Sequence, residues 1–194
     1  MTVPDAKLRR APLAPGSLLV ALPHLLDPSF RQTVVLLCCV DDEGAMGLIV
    51  NRPTGMPLGS ALPDDELIAD RRETLFEGGP VATDRIVILR RGGGQPPDFT
   101  PVFDGVALGD TLPALKDAAT AAGIVGSYRP YVGHAGWGPG QLQDELDEKS
   151  WALLPPDADV VFAEHPRLAW SRCMTRLGGP FAIYATMPAD IHMN

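Results

Sequence analysis

No apolar run in the chain is longer than seven residues, 34–40. That is far short of the roughly 20 needed to span a bilayer as a helix, so no membrane role is expected. Cysteine is scarce: Cys38, Cys39 and Cys173 are three, an odd number in a chain that is not short, which argues against a secreted disulfide scaffold, and no C-x-x-C spacing points to a redox or metal role. Cys38 and Cys39 sit inside the apolar run and read as small buried hydrophobes. His24, His134, His165 and His192 lack the i, i+4 or short-loop spacing of a metal site. No metal and no cofactor are therefore expected. Positive charge is also in deficit, 16 basic against 24 acidic residues for a net −8, so the average surface repels nucleic-acid phosphates and anionic lipid heads. The pairs Arg9-Arg10, Arg71-Arg72 and Arg90-Arg91 never extend into a basic run, and direct nucleic-acid binding is disfavoured. Lys7, Arg9 and Arg10 precede an apolar stretch, but Pro12, Pro15, Gly16 and Pro23 interrupt it, so it does not read as a signal peptide and the expected location is the cytoplasm. There is no G-x-S-x-G elbow and no Rossmann or P-loop fingerprint. Catalysis thus has no motif behind it, although a Ser-His-Asp triad assembled in space stays open.

What is present suits one folded domain. A chain of 194 residues, 45% hydrophobic and 21% charged, can bury about 70% of its unfolded surface without staples. Residues 1–15 read as a flexible proline-rich arm, 16–188 as a single domain and 189–194 as a tail. Strand-like runs at 33–40 and 45–50, joined by Asp41-Asp42-Glu43-Gly44, are apolar enough to be covered on both faces. Asn51-Arg52-Pro53 should then turn the chain away from the sheet. Acids at Asp64-Asp65 and arginines at Arg71-Arg72 bracket a short helical segment. Strands are expected at 75–77 and 85–89, around Gly78-Gly79-Pro80, and a mobile loop at 92–97. Asp110 and Thr111 can cap a helix running to about residue 122, ahead of Gly123. A strand at 127–132 leads to a second helix at 140–149. In a last helix over 166–177, Trp170, Cys173, Met174 and Leu177 form a buried stripe. Hairpins mixed with single helices imply an α+β or mixed α/β fold.

Three corners are candidates for a binding cleft, because open α/β sheets place ligands at strand ends. They are Asn51-Arg52, Gly78-Gly79 with Arg85 downstream, and Gly136-Trp137-Gly138-Pro139-Gly140-Gln141. Arg52 could grip a carboxylate or phosphate in bidentate fashion. The alternative is that Arg52 pairs with an acid such as Glu77 while Asn51 closes the turn. Likewise the glycines of 136–140 could admit an anion at a helix start, or form a tight turn with Trp137 anchored in the core.

Taken together, several segments resemble the bacterial YqgE/AlgH family. They are Gly16-Ser17-Leu18-Leu19-Val20-Ala21, Leu26-Asp27-Pro28-Ser29-Phe30, Thr33-Val34-Val35-Leu36-Leu37, Gly44-Ala45-Met46-Gly47-Leu48-Ile49-Val50-Asn51-Arg52-Pro53, Gly78-Gly79-Pro80-Val81, Ala135-Gly136-Trp137-Gly138-Pro139-Gly140-Gln141-Leu142 and Trp151. The resemblance covers residues 16–178 in order and implies a single domain with a bent sheet forming a pseudo-barrel flanked by helices. The family carries a transcriptional-regulator label with no established catalytic residues. The combined expectation is a cytoplasmic protein, more a binder of a protein or small ligand than an enzyme. The alternatives are an enzyme or small-anion receptor using the glycine-marked cleft, and a direct DNA-binding regulator.

Overall fold

Alternation along single strands produces the architecture. In β1 (Leu18–Ala21), Leu18 and Val20 face one core while Leu19 and Ala21 face another, and all four are inaccessible to solvent. β2 (Val34–Asp41) repeats the split, with Val34, Leu36 and Cys38 on one side and Val35 and Leu37 on the other. Each fully buried Leu or Val contributes about 1.5–3 kcal/mol, so a run buried on both faces holds the sheet in place. The structure is a computed structural model that describes residues 8–92, 97–120 and 127–187.

Further strands are β3 (Gly44–Ile49), β4 (Pro53–Pro57), β5 (Thr74–Glu77), β6 (Val81–Arg91), β7 (Thr100–Phe103), β8 (Val106–Gly109), β9 (Tyr128–Trp137) and β10 (Trp151–Leu154). The helices are α1 (Leu58–Ala61), α2 (Leu112–Thr120), α3 (Gln141–Asp147), α4 (Ala158–Val161), α5 (Ala169–Leu177) and α6 (Phe181–Tyr184). The sheet order is β10-β1-β2-β3-β9-β6-β8-β7, every neighbour antiparallel. β4 pairs antiparallel with β5, which lies parallel to β9. The fold is mixed α+β. The sheet bends without closing into a barrel: Leu18, Leu36 and Leu154 at one end share a core with Val102 and Val106 at the other, and Trp170, Cys173 and Met174 of α5 fill it. On the outside, α3 covers β1, β2 and β10 through Leu142 and Leu146, and α2 covers Leu75 and Ile88 through Ala114, Leu115 and Ala118.

Local departures from the sequence expectations have physical causes. The strand expected to stop at 132 continues to Trp137, where Ala135, Gly136 and Trp137 pair with β3, and residues 82–85 of β6 bulge opposite Gly133, which adopts φ +71. Residues 66–72 make a single turn and no helix. Ile68 and Ala69 both donate to the Asp65 carbonyl, after which Glu73 and Arg71 carbonyls accept from Leu58 and Gly59 of α1, drawing the segment off as a cross-link. The chain does not leave the sheet after Asn51-Arg52: Pro53 opens β4, an edge strand where the missing N–H costs nothing. From Leu8 onward, the segment expected as an arm lies against the sheet edge. Leu8 is buried, Arg9 bridges Leu153, and Arg10 donates to the carbonyls of Arg176 (2.8 Å) and Leu177 (2.7 Å), where α5 leaves them unpaired. The expected loop core 93–96, the helix end at 121–122, Gly123, and residues 188–194 with His192 fall outside the described residues.

Candidate functional site

Asn51 and Arg52 point inward. The Asn51 Oδ1 accepts from the Val34 N–H at 2.8 Å and its Nδ2 donates to the Gln32 carbonyl at 2.9 Å. Arg52 is 5% exposed. Its Nη1 donates to the Ser29 carbonyl (2.7 Å) and Glu77 Oε1 (3.3 Å), and its Nη2 to the Pro28 (2.9 Å) and Arg31 (3.4 Å) carbonyls. Burial pulls its pKa down while Glu77 pulls it back up. Both terminal nitrogens are thus spent on the 28–31 loop, leaving no fork for a ligand anion.

Gly78 is threaded between β3 and β9, accepting from the Ile49 N–H and donating to the Val132 carbonyl, each at 2.9 Å. At Gly79, with φ +148, a Cβ would overlap the backbone of His134 and Ala135. Glycine is required here because two backbones meet with no side chain between them. Arg85 is exposed on β6 beside His134, whose pKa is lowered first by burial and then by that guanidinium. The folded pKa of His134 lies below its unfolded value of 6.5, so its contribution to stability is complete above about pH 6.5 and declines as pH falls through the lowered pKa. Denaturant titrations at pH 7.5 and 5.0 should therefore show a smaller loss of stability on acidification for His134→Gln than for the wild type.

The glycine-rich segment builds an aromatic anchor. Trp137 Nε1 (3.0 Å) and Trp151 Nε1 (2.8 Å) both donate to Glu145 Oε2, and Gln141 donates to Glu145 Oε1 (2.9 Å) while accepting from the Gly138 N–H (3.1 Å). Phe30 stacks on Trp137 with centroids 6.1 Å apart and meets Trp151 edge-on at 5.5 Å. Gly136 pairs with Met46 in the sheet, and Gly140 takes a left-handed conformation ahead of α3. The first two corners meet where Arg52 pairs with Glu77 and the Glu77 N–H donates to the Arg52 carbonyl, and the 28–31 loop that Arg52 grips carries Phe30 to the third. Their meeting places are packed protein. Glu145→Ala should cost about 2 kcal/mol, since two indole donors lose a charged acceptor, and Glu145→Gln about half of that. Chemical denaturation followed by near-ultraviolet circular dichroism reads both the stability and the tryptophan environment.

Empty space lies elsewhere. A cleft of about 450 Å³ opens between the start of β4 (Pro53), the approach to β5 (Arg72, Glu73, Phe76), the start of β9 (Tyr128, Arg129) and Glu164. A smaller one of about 300 Å³ shares Pro53 and Glu164 and continues past His165 to Leu168. Arg129 is committed to structure. It donates to the Val161 carbonyl at 2.8 Å and to that of Ala163, and it lies over the rings of Phe76 (4.7 Å) and Phe162 (5.8 Å). Burial, then Glu73, pushes the Tyr128 hydroxyl pKa up, yet neither Tyr128 Oη nor Glu73 Oε2 completes a hydrogen bond of normal geometry. Sequence reading missed this cleft, because its walls come from four segments spread over more than a hundred positions and carry no spacing pattern.

Among the described residues no group of three or more His, Cys, Asp or Glu could hold a metal ion. None of their helices is long and apolar enough to cross a membrane. The three cysteines are free thiols, and burial pushes Cys38 up strongly and Cys173 up to about 12. Exposed Cys39 is also raised, by partial desolvation and by its contact with Asp41.

Comparison with known proteins gives the family. The model of a family described as AlgH-like matches residues 18–182. A UPF0301 protein of Streptomyces coelicolor is 38% identical over 185 residues, covering 92% of this chain and 94% of its own. One from Caulobacter vibrioides is 39% identical over 168 residues, covering 84% and 86%. The solution structure of the AlgH protein from Pseudomonas aeruginosa superposes with a TM-score of 0.73 at 30% identity, covering 93% of this chain and 97% of that one. A crystal structure from Corynebacterium diphtheriae, at 23% identity and TM-score 0.76 over 92% and 94% of the two chains, has the same fold. The chain belongs to the AlgH-like family.

Proposed function

We propose that this protein is a cytoplasmic binding protein without catalytic activity, and that its ligand, a small molecule or a segment of a partner protein, occupies the cleft between Arg72, Phe76, Tyr128 and Glu164. The observation that carries this reading is the contrast between the two regions. At the glycine-marked corners every polar group of Asn51 and the terminal nitrogens of Arg52 are consumed internally, whereas the cleft has a volume in the range of ligand sites, mixed polar and apolar walls, and charged groups free to engage a guest. Any effect on transcription is then indirect, a view supported by the net charge of −8.

A thermal-shift screen of amino acids, short peptides, carboxylates and nucleotides tests the assignment. The compounds that stabilise the wild type should lose their effect on Thr74→Trp, in which an indole at an exposed cleft position fills the space. Stabilisation that persists in Thr74→Trp, or a salt-sensitive shift of duplex DNA at low micromolar protein, overturns it.

A further inference from the structure

We propose that the cleft accepts a zwitterion, a ligand whose carboxylate pairs with Arg72 and whose protonated amine pairs with Glu164, the connecting carbons lying along Pro53 and Pro166. The inference rests on the cleft being the binding site. It follows from an account of each charged group in the walls.

Arg129 is unavailable, its two terminal nitrogens held by the Val161 and Ala163 carbonyls and its faces by two aromatic rings. Glu73 has its Oε2 buried against the Tyr128 hydroxyl. Two charges remain. Arg72 and Glu164 are both exposed, come from segments far apart in sequence, and among the described residues form no ion pair with each other or with a third group. One positive and one negative group without ion-pair partners, brought from separate segments to the walls of one cleft, are complementary to a guest with the opposite pair of charges. A pure anion would meet the carboxylate of Glu164, and a pure cation would meet Arg72, so each loses part of what it gains. The zwitterion avoids both penalties. In the same cleft Pro53 and Pro166, both half-buried, present carbon surface, which favours an apolar spacer over a polar one.

Calorimetric titration of the full chain with 6-aminohexanoate, hexanoate and hexylamine separates the contributions. The zwitterion should bind at least about tenfold more tightly than either half-ligand. In Arg72→Gln the advantage over hexylamine should vanish, and in Glu164→Gln the advantage over hexanoate should vanish. Both positions are exposed, and circular dichroism confirms that the variants remain folded. Triglycine with free termini, compared with its acetylated and amidated form, tells whether peptide ends satisfy the site as a free ω-amino acid does. Equal affinities for the zwitterion and a half-ligand, an advantage unchanged in both variants, or no binding by any of these probes overturns the zwitterion assignment. The cleft itself is judged separately by the Thr74→Trp screen, so the two ideas fail on different results.

Discussion

Arg52→Ala should lower stability by about 3 kcal/mol or more and reduce Tm by roughly 6–12 °C, with no gain or loss of any ligand that depends on the cleft. The guanidinium is buried and joins three backbone carbonyls of the 28–31 loop to Glu77 of β5. Removing it leaves those acceptors short of donors in a place water reaches poorly, which costs more than the hydrogen bonds were worth. The loop also carries Phe30, so the Trp137–Trp151 cluster should loosen with it. Arg52→Lys should recover only part of the loss, because an ammonium gathers its donors on one nitrogen and cannot reach all the acceptors that Nη1 and Nη2 hold separately. Glu77→Gln is the contrasting control. That side chain is half exposed and its ion pair should contribute less than about 1 kcal/mol. Urea denaturation of the three variants checks the order. A loss in Glu77→Gln equal to that in Arg52→Ala would mean that the ion pair, and not the carbonyl clamp, holds the corner.

Gly79→Ala should be more damaging still, costing at least about 4 kcal/mol or leaving the chain unable to accumulate in folded form. Two penalties coincide. The backbone at φ +148 is one that L-residues rarely adopt, and the added carbon would enter the backbone of His134 and Ala135, which cannot move aside without breaking the β3–β9 and β6–β9 pairing. Gly105→Ala offers a comparison at φ +71, where a Cβ would meet nothing within 4 Å. Only strain is added there, so the cost should be about 1 kcal/mol. Expression level and denaturant midpoint of the two variants distinguish strain from collision.

The sequence made the central sheet legible because its signals are local. The apolar run 34–40 announced a strand covered on both faces, and Trp170, Cys173, Met174 and Leu177 announced the face of α5 that reaches the core. Thr111 indeed caps α2, its Oγ1 accepting from the Ala114 N–H at 3.2 Å. What stayed hidden depends on partners distant in the chain. β7, β8 and β10 are four residues each, too short to show a period, and exist because neighbouring strands supply their hydrogen bonds. The turn at 66–72 has the charge arrangement of a helix, but its backbone is recruited by α1. The glycines at 78–79 and 133 were visible as glycines, and their purpose was not. They allow β5 to slip between β3 and β9, which is a crossing and not an opening. In one dimension Arg52 reads either as a ligand-binding arginine or as a partner of Glu77, and in three it pairs with Glu77 and also clamps the 28–31 loop, which the spacing does not announce. Arg72 and Glu164 show the reverse, looking like ordinary surface charges until the fold sets them around one cleft.

A single titration bears most directly on where this molecule meets its ligand. Backbone amide spectra recorded while 6-aminohexanoate is added should move resonances of 72–76, 128–129 and 164–168, and leave those of 28–32, 51–52 and 77–79 in place. Shifts confined to the latter group, with the Arg72 and Glu164 neighbourhoods silent, would contradict the account and return the site to the glycine-marked corners.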